Sequence, residues 1–212
     1  MTLKKLDTTL YLVTDSTGLS EEVFLSKVEQ ALLGGVTLLQ LREKERSTRE
    51  YIHLAQQVHT LAKRFHVPLL VDDRVDVALA AEVDGVHVGQ SDMPVWQARK
   101  LLGPDKIVGA TAKTVPQALE AWEQGADYLG VGAIYPTTTK VVTVITSTET
   151  LGDICGAVPI PVNAIGGLNQ DNLGVLKGIP IQGICVVSAI MKATDPKAAA
   201  EGLRQAFDAL RI

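Results

Sequence analysis

Two hydrophobic patterns alternate along the chain. Short, nearly unbroken runs of Val, Ile and Leu are followed by longer stretches in which apolar residues recur every third or fourth position. The short runs predict strands at Leu10–Thr14, Leu38–Arg42, Leu69–Asp72, Gly85–Val88, Ile107–Thr111, Tyr128–Gly132, Val162–Ile165 and Gly183–Val187. Runs with so little polar alternation belong to parallel strands covered on both faces. The periodic stretches predict helices at Glu21–Leu33, Thr48–Phe65, Val77–Ala81, Pro94–Leu102, Val115–Gln124, Ser147–Cys155, Asn169–Lys177 and Pro196–Leu210. The second has a stripe at Thr48, Tyr51, Ala55, Val58 and Ala62. Ser20 and Ser47 are placed to cap helix starts, and Asp195-Pro196 reads as a cap followed by proline at the first helical position. Gly34-Gly35 and Gly103 are placed to end helices.

Eight such pairs in 212 residues, about 26 residues each, predict an α/β fold: a single (β/α)8 (TIM) barrel domain over residues 1–212. The competitor is a doubly wound open sheet, which usually carries a glycine-rich phosphate loop after its first strand. Here Thr14-Asp15 leads into Ser16-Thr17-Gly18, with no GxGxxG, and no change of composition divides the chain.

Composition narrows the function. With 20 Lys and Arg against 24 Asp and Glu, the formal charge is −4, so no basic stripe for nucleic acid is expected. Apolar runs such as Val67–Val71 and Ile181–Val187 are interrupted by Pro or Gly and fall far short of the ~20 residues of a membrane span. The first residues have too short an apolar stretch for a signal peptide, and a cytoplasmic protein is expected. Cys155 and Cys185 have no metal-ligand spacing and read as two buried thiols in a reducing compartment. Nothing in the sequence addresses the oligomeric state.

In a barrel the chemistry lies at the C-terminal strand ends. After the second strand comes Gln40-Leu41-Arg42-Glu43-Lys44, where period two puts Gln40, Arg42 and Lys44 on one side. Two cations and an amide suit a phosphate or diphosphate; the bland alternative is a solvated charged loop. The third and fourth strands end in Asp72-Asp73-Arg74 and Gly89-Gln90-Ser91-Asp92, bringing Asp73 and Asp92 to one rim. Two carboxylates are the usual magnesium arrangement in phosphate chemistry, although Asp92 could instead cap the fourth helix. His87, inside a strand, reads as structural. Tyr135-Pro136-Thr137-Thr138-Thr139-Lys140 opens the longest loop, running to about Thr146, which reads as a phosphate-binding lid or as a polar linker. Gly166-Gly167 after the seventh strand and Val187-Ser188 after the eighth suit a second phosphate held by backbone N–H groups; a tight strand-to-helix turn is the alternative.

Two anion sites fit the joining of a phosphate ester to a diphosphate-activated partner. The segments Gln40–Lys44, Asp84–Asp92, Gly125–Tyr128, Thr137–Lys140, Ala164–Gly167 and Val187–Ile190 resemble the thiamine-phosphate synthase family, and the resemblance spans nearly the whole chain. It implies a transferase. A pyrimidinylmethyl diphosphate loses pyrophosphate with magnesium, Mg2+, as cofactor, and a thiazole phosphate captures the carbocation to give thiamine phosphate. The resemblance places Gln40, Arg42 and Lys44 on the pyrimidine diphosphate and Asp73 and Asp92 on magnesium. It places Thr111 (usually serine) and Lys140 on the diphosphate, with Asp72 beside it. Thr137 and Thr139 would bind the thiazole partner, and Gly167, Val187 and Ser188 its phosphate. Arg42, Thr111 and Lys140 would stabilise the departing charge. Two departures stand out: Asp72 where the family usually has asparagine, and apolar Val141–Ile145 where it usually has charges.

Two other functions fit parts of this pattern. A related thiazole tautomerase shares the phosphate half but uses a histidine near the end of the fifth strand, where this chain has Gly109-Ala110-Thr111-Ala112-Lys113. A non-catalytic barrel sensing a phosphorylated metabolite would need only one of the two anion sites.

Overall fold

The computed structural model describes residues 6–137 and 144–211. Eight parallel strands close into a barrel in sequence order, β8 pairing with β1. The strands are β1 (Leu10–Val13), β2 (Leu38–Leu41), β3 (Leu69–Asp72), β4 (Gly85–Val88), β5 (Ile107–Ala112), β6 (Tyr128–Gly132), β7 (Val162–Ile165) and β8 (Gly183–Val186). The predicted strands all form, with ends shifted by at most one residue.

The helices are α1 (Glu21–Leu33), α2 (Thr48–Arg64), α3 (Val75–Ala80), α4 (Val95–Leu102), α5 (Val115–Glu123), α6 (Thr148–Ala157), α7 (Ser188–Met191) and α8 (Pro196–Leu210). The prediction errs after β7. No α-helix spans Asn169–Lys177; a 3-10 turn covers only Leu173–Leu176, between Asn172 and the left-handed Gly178. Its apolar Leu173 and Leu176 are buried, which produced the helical period without a helix. The four-residue α7 was not predicted. Cys155 is partly exposed, contrary to the expectation of two buried thiols, while Cys185 is buried.

Period two decides what each strand contributes. Leu10, Leu12, Leu39, Leu41, Leu69, Val71, Val86 and Val88 face outward into the main core beneath the helices. Tyr11, Val13, Leu38, Leu70, Tyr128 and Cys185 form a separate cluster inside the barrel. Of the stripe foreseen on α2, Tyr51, Ala55, Val58 and Ala62 are buried, whereas Thr48 in the first turn is exposed beside the capping box formed by Ser47 and Glu50. Inside the barrel, glycine makes room for an aromatic ring. A Cβ on Gly109 would lie 2.2 Å from the Tyr128 ring, far inside van der Waals contact.

The N-terminal rim is stapled in a regular way. The residue just before each even-numbered strand accepts a hydrogen bond from a backbone N–H at the start of the strand before it. Thr37 Oγ1 accepts from Leu10 N (3.1 Å) and Asp84 Oδ2 from Leu69 N (2.8 Å). Asp127 Oδ2 accepts from Val108 N (2.7 Å) and Gln182 Oε1 from Val162 N (2.9 Å). Arg99 reinforces the third staple, its guanidinium meeting Asp127 at 2.5 Å.

Candidate active site

A cavity of about 250 Å3 opens at the C-terminal ends of the strands. Gln40, Arg42 and Lys44 line it together, as period two required. The intervening Glu43 points away. It is almost fully buried, accepts from Ser16 Oγ (2.8 Å) and Arg46 Nε (3.1 Å), and so ties the β1–α1 loop to the β2–α2 loop. That anchor fixes the backbone from which Arg42 and Lys44 project.

Asp72 and Asp73 line the same cavity. Asp72 lies 3.6 Å from Arg42 and 3.0 Å from Lys44. Lys44 also bonds Asp73, so one ammonium bridges both carboxylates. Arg74 takes no part, because its guanidinium is engaged by Asp76 at 2.6 Å. Burial, reinforced by the Asp73 charge, pushes the Asp72 carboxyl up to about 6. Burial also opposes the Asp73 charge, but hydrogen bonds with Lys44 and Asp92 outweigh it and hold Asp73 below its ordinary value.

Asp92 meets Asp73 carboxyl to carboxyl. Burial and the bond with Asp73 raise its pKa. It lines a second cavity of about 160 Å3 beside α4 and α5 rather than the main one, and Gly89 lines both. The capping alternative fails: the N-cap position of α4 is Pro94, with no side-chain cap, and Asp92 Oδ2 accepts from Gly89 N at 2.8 Å.

Thr111 lines the cavity from β5, and Thr137, Gly167, Val187 and Ser188 line it from the side of β6, β7 and β8. Gly166 and Gly167 both have positive φ, +106° and +65°. Thr139, Lys140 and the first part of the proposed lid, Val141–Thr143, lie outside the described residues. Val144 lines the cavity, and its carbonyl accepts from Ala133 N at 3.3 Å.

Three polar residues inside the barrel were not singled out for function from sequence. Tyr11 and Tyr128 join hydroxyl to hydroxyl at 2.7 Å. His87 bonds Tyr128 through Nδ1 (2.8 Å) and Thr111 through Nε2 (2.9 Å), so it is satisfied, as read, yet it also lines the cavity. The signal was available, since Tyr11 and Tyr128 sit on inward positions of buried strands, where a phenol needs a partner.

Comparison with known proteins is decisive. The thiamine monophosphate synthase family matches residues 10–190. The chain belongs to that family. Thiamine-phosphate synthase 2 of Streptococcus pneumoniae is 53% identical over 189 residues, 89% of this chain and 90% of that protein. Thiamine-phosphate synthase of Clostridium tetani is 47% identical over 97% of this chain and 98% of that one. The solved structure of thiamine phosphate pyrophosphorylase from Pyrococcus furiosus superposes with a TM-score of 0.88, at 38% identity, over 97% of this chain and 98% of that one.

Within this family the acidic pair fits Mg2+. Asp73 and Asp92 place two hard oxygen donors face to face, the chemistry that magnesium prefers in phosphate sites. Among the described residues no group of three or more His, Cys, Asp or Glu side chains forms a metal centre by itself. The two carboxylates would therefore share the ion with substrate oxygens, as magnesium sites commonly do.

Asp72 yields a pH prediction. Its folded pKa, about 6, exceeds the ordinary 3.8, so between those values the folded state binds more protons than the unfolded state. Stability then falls as pH rises through that window. Asp72→Asn is expected to melt higher than the parent at pH 7, by no more than about 3 kcal/mol, with the gap closing toward pH 4. Melting curves across pH check this; a gap independent of pH would refute it.

Proposed function

We propose that this transferase joins a pyrimidinylmethyl diphosphate to a thiazole phosphate, giving thiamine phosphate and pyrophosphate, within a single barrel domain. Membership of the family and the meeting of a cationic arm, Asp73 and a glycine-rich turn around one cavity, with Asp92 against Asp73 at its edge, carry this reading. Arg42 and Lys44 bind the diphosphate and Gln40 orients the pyrimidine end. Asp73 and Asp92 would hold Mg2+, which supplies positive charge to the departing pyrophosphate. Thr111, with Lys140, stabilises the same charge as the methylene carbon–oxygen bond breaks and its electron pair leaves with pyrophosphate. Thr137 and Thr139 hold the thiazole, whose ring nitrogen forms the new bond to the methylene carbon. Gly167, Val187 and Ser188 hold its phosphate through backbone groups and a hydroxyl. The apolar walls of the cavity limit capture of the carbocation by water.

Among the described residues no helix is long and apolar enough to cross a membrane. Incubation with both substrates and magnesium should yield thiamine phosphate, detected by mass. Isomerisation of a thiazole phosphate alone, without condensation, would overturn the reading in favour of a tautomerase.

A further inference from the structure

Four hydrogen bonds string five side chains across the barrel interior. Gln40 Nε2 donates to the Tyr11 hydroxyl. The Tyr11 and Tyr128 hydroxyls are 2.7 Å apart, Tyr128 is 2.8 Å from His87 Nδ1, and His87 Nε2 is 2.9 Å from Thr111 Oγ1. Both ends, Gln40 on β2 and Thr111 on β5, line the cavity, whereas Tyr128 is fully buried and does not.

The chain has a direction. An amide nitrogen only donates, so the Tyr11 oxygen accepts at that end. With both phenols buried, the Tyr11 hydroxyl donates to the Tyr128 oxygen and the Tyr128 hydroxyl donates to His87 Nδ1. An imidazole that is neutral in this arrangement carries its hydrogen on Nε2 and donates it to Thr111 Oγ1. Thr111, having accepted there, has its own proton to give to an acceptor in the cavity. We propose that Tyr128 is a positioning residue which, through the His87 tautomer, makes Thr111 a directed donor to the departing diphosphate. This deepens the transferase reading and rests on it. The negative charge on the leaving group grows in the transition state, so the contribution falls on kcat more than on KM.

The test is a double-mutant cycle of Tyr128→Phe and Thr111→Val, with kcat and KM measured for both substrates. Phenylalanine keeps the ring that fills the space left by Gly109. Each single change is expected to lower kcat about tenfold, the loss of one charge-assisted hydrogen bond, with KM for the diphosphate within about twofold. The double variant should be no worse than Thr111→Val alone, and Thr111→Ser, which keeps the hydroxyl, should have a kcat well above that of Thr111→Val. Losses that multiply, a change confined to KM, or unchanged kcat in Tyr128→Phe would overturn the proposal. If Tyr128→Phe does not fold, the parent protein still gives an answer: imidazole 15N chemical shifts should report the Nε2–H tautomer of His87, and the Nδ1–H tautomer would overturn it. Failure of the transferase reading is distinguishable, because then the parent itself makes no thiamine phosphate while the tautomer can still be read.

Discussion

Asp73→Asn and Asp92→Asn should each lower kcat/KM on the order of 100-fold and raise the magnesium concentration needed for half-maximal rate. Charge stabilisation by a metal is worth several kcal/mol, and about 2.7 kcal/mol corresponds to that factor. Asparagine keeps a comparable shape and tolerates the left-handed backbone of Asp73, whose φ is +61°. The effect should therefore not come from misfolding. Asp92 does not cap α4, so Asp92→Asn should melt close to the parent. Magnesium titrations of the rate with a parallel melting curve decide it. Parental magnesium dependence in Asp92→Asn would leave that carboxyl only its bonds to Gly89 and Asp73 and would remove it from the metal site.

Gly167→Val should raise the thiazole KM by about tenfold or more before it alters diphosphate binding. The backbone at Gly167 is left-handed, which costs an L-residue about 1–2 kcal/mol. A Cβ there would stand 2.6 Å from Tyr135 Cβ and 2.8 Å from Pro136 O, so the turn after β6 must also shift. That turn leads directly to Thr137, which pairs the damage with the thiazole side of the cavity. Separate KM values for the two substrates are the measurement. Equal rises for both would mean general damage to the barrel and would sink the assignment.

What the sequence showed of this molecule follows from which signals are local. The strands were legible because each is a run of aliphatic residues, and their ends moved by a single residue at most. Gln40, Arg42 and Lys44 were legible because alternation along an extended chain fixes a shared side. The segment after β7 was not, because Leu173 and Leu176 have helical spacing but pack from a single 3-10 turn. The relations of Asp72 were not legible either. Its neighbour in sequence, Arg74, was the nearest cation on paper, yet Arg74 turns to Asp76 while Arg42 and Lys44 arrive from the adjacent strand. Pairing across strands depends on register, which no single segment encodes. The interior polar chain is the same case, because its five members come from five different strands.

The staples at the N-terminal rim cut the barrel into four two-strand modules, since each bond joins an odd strand to the even strand that follows. Severing the chain at Gly103 leaves two halves that each keep both of their strand-to-strand bonds, and parts the Arg99 guanidinium from the Asp127 staple it reinforces. Severing it at Glu82 parts Leu69 from Asp84 and breaks one. Co-expressed halves divided at Gly103 should reassemble into active enzyme more completely than halves divided at Glu82. The barrel is, in that sense, already scored along the lines where it can be taken apart and rejoined.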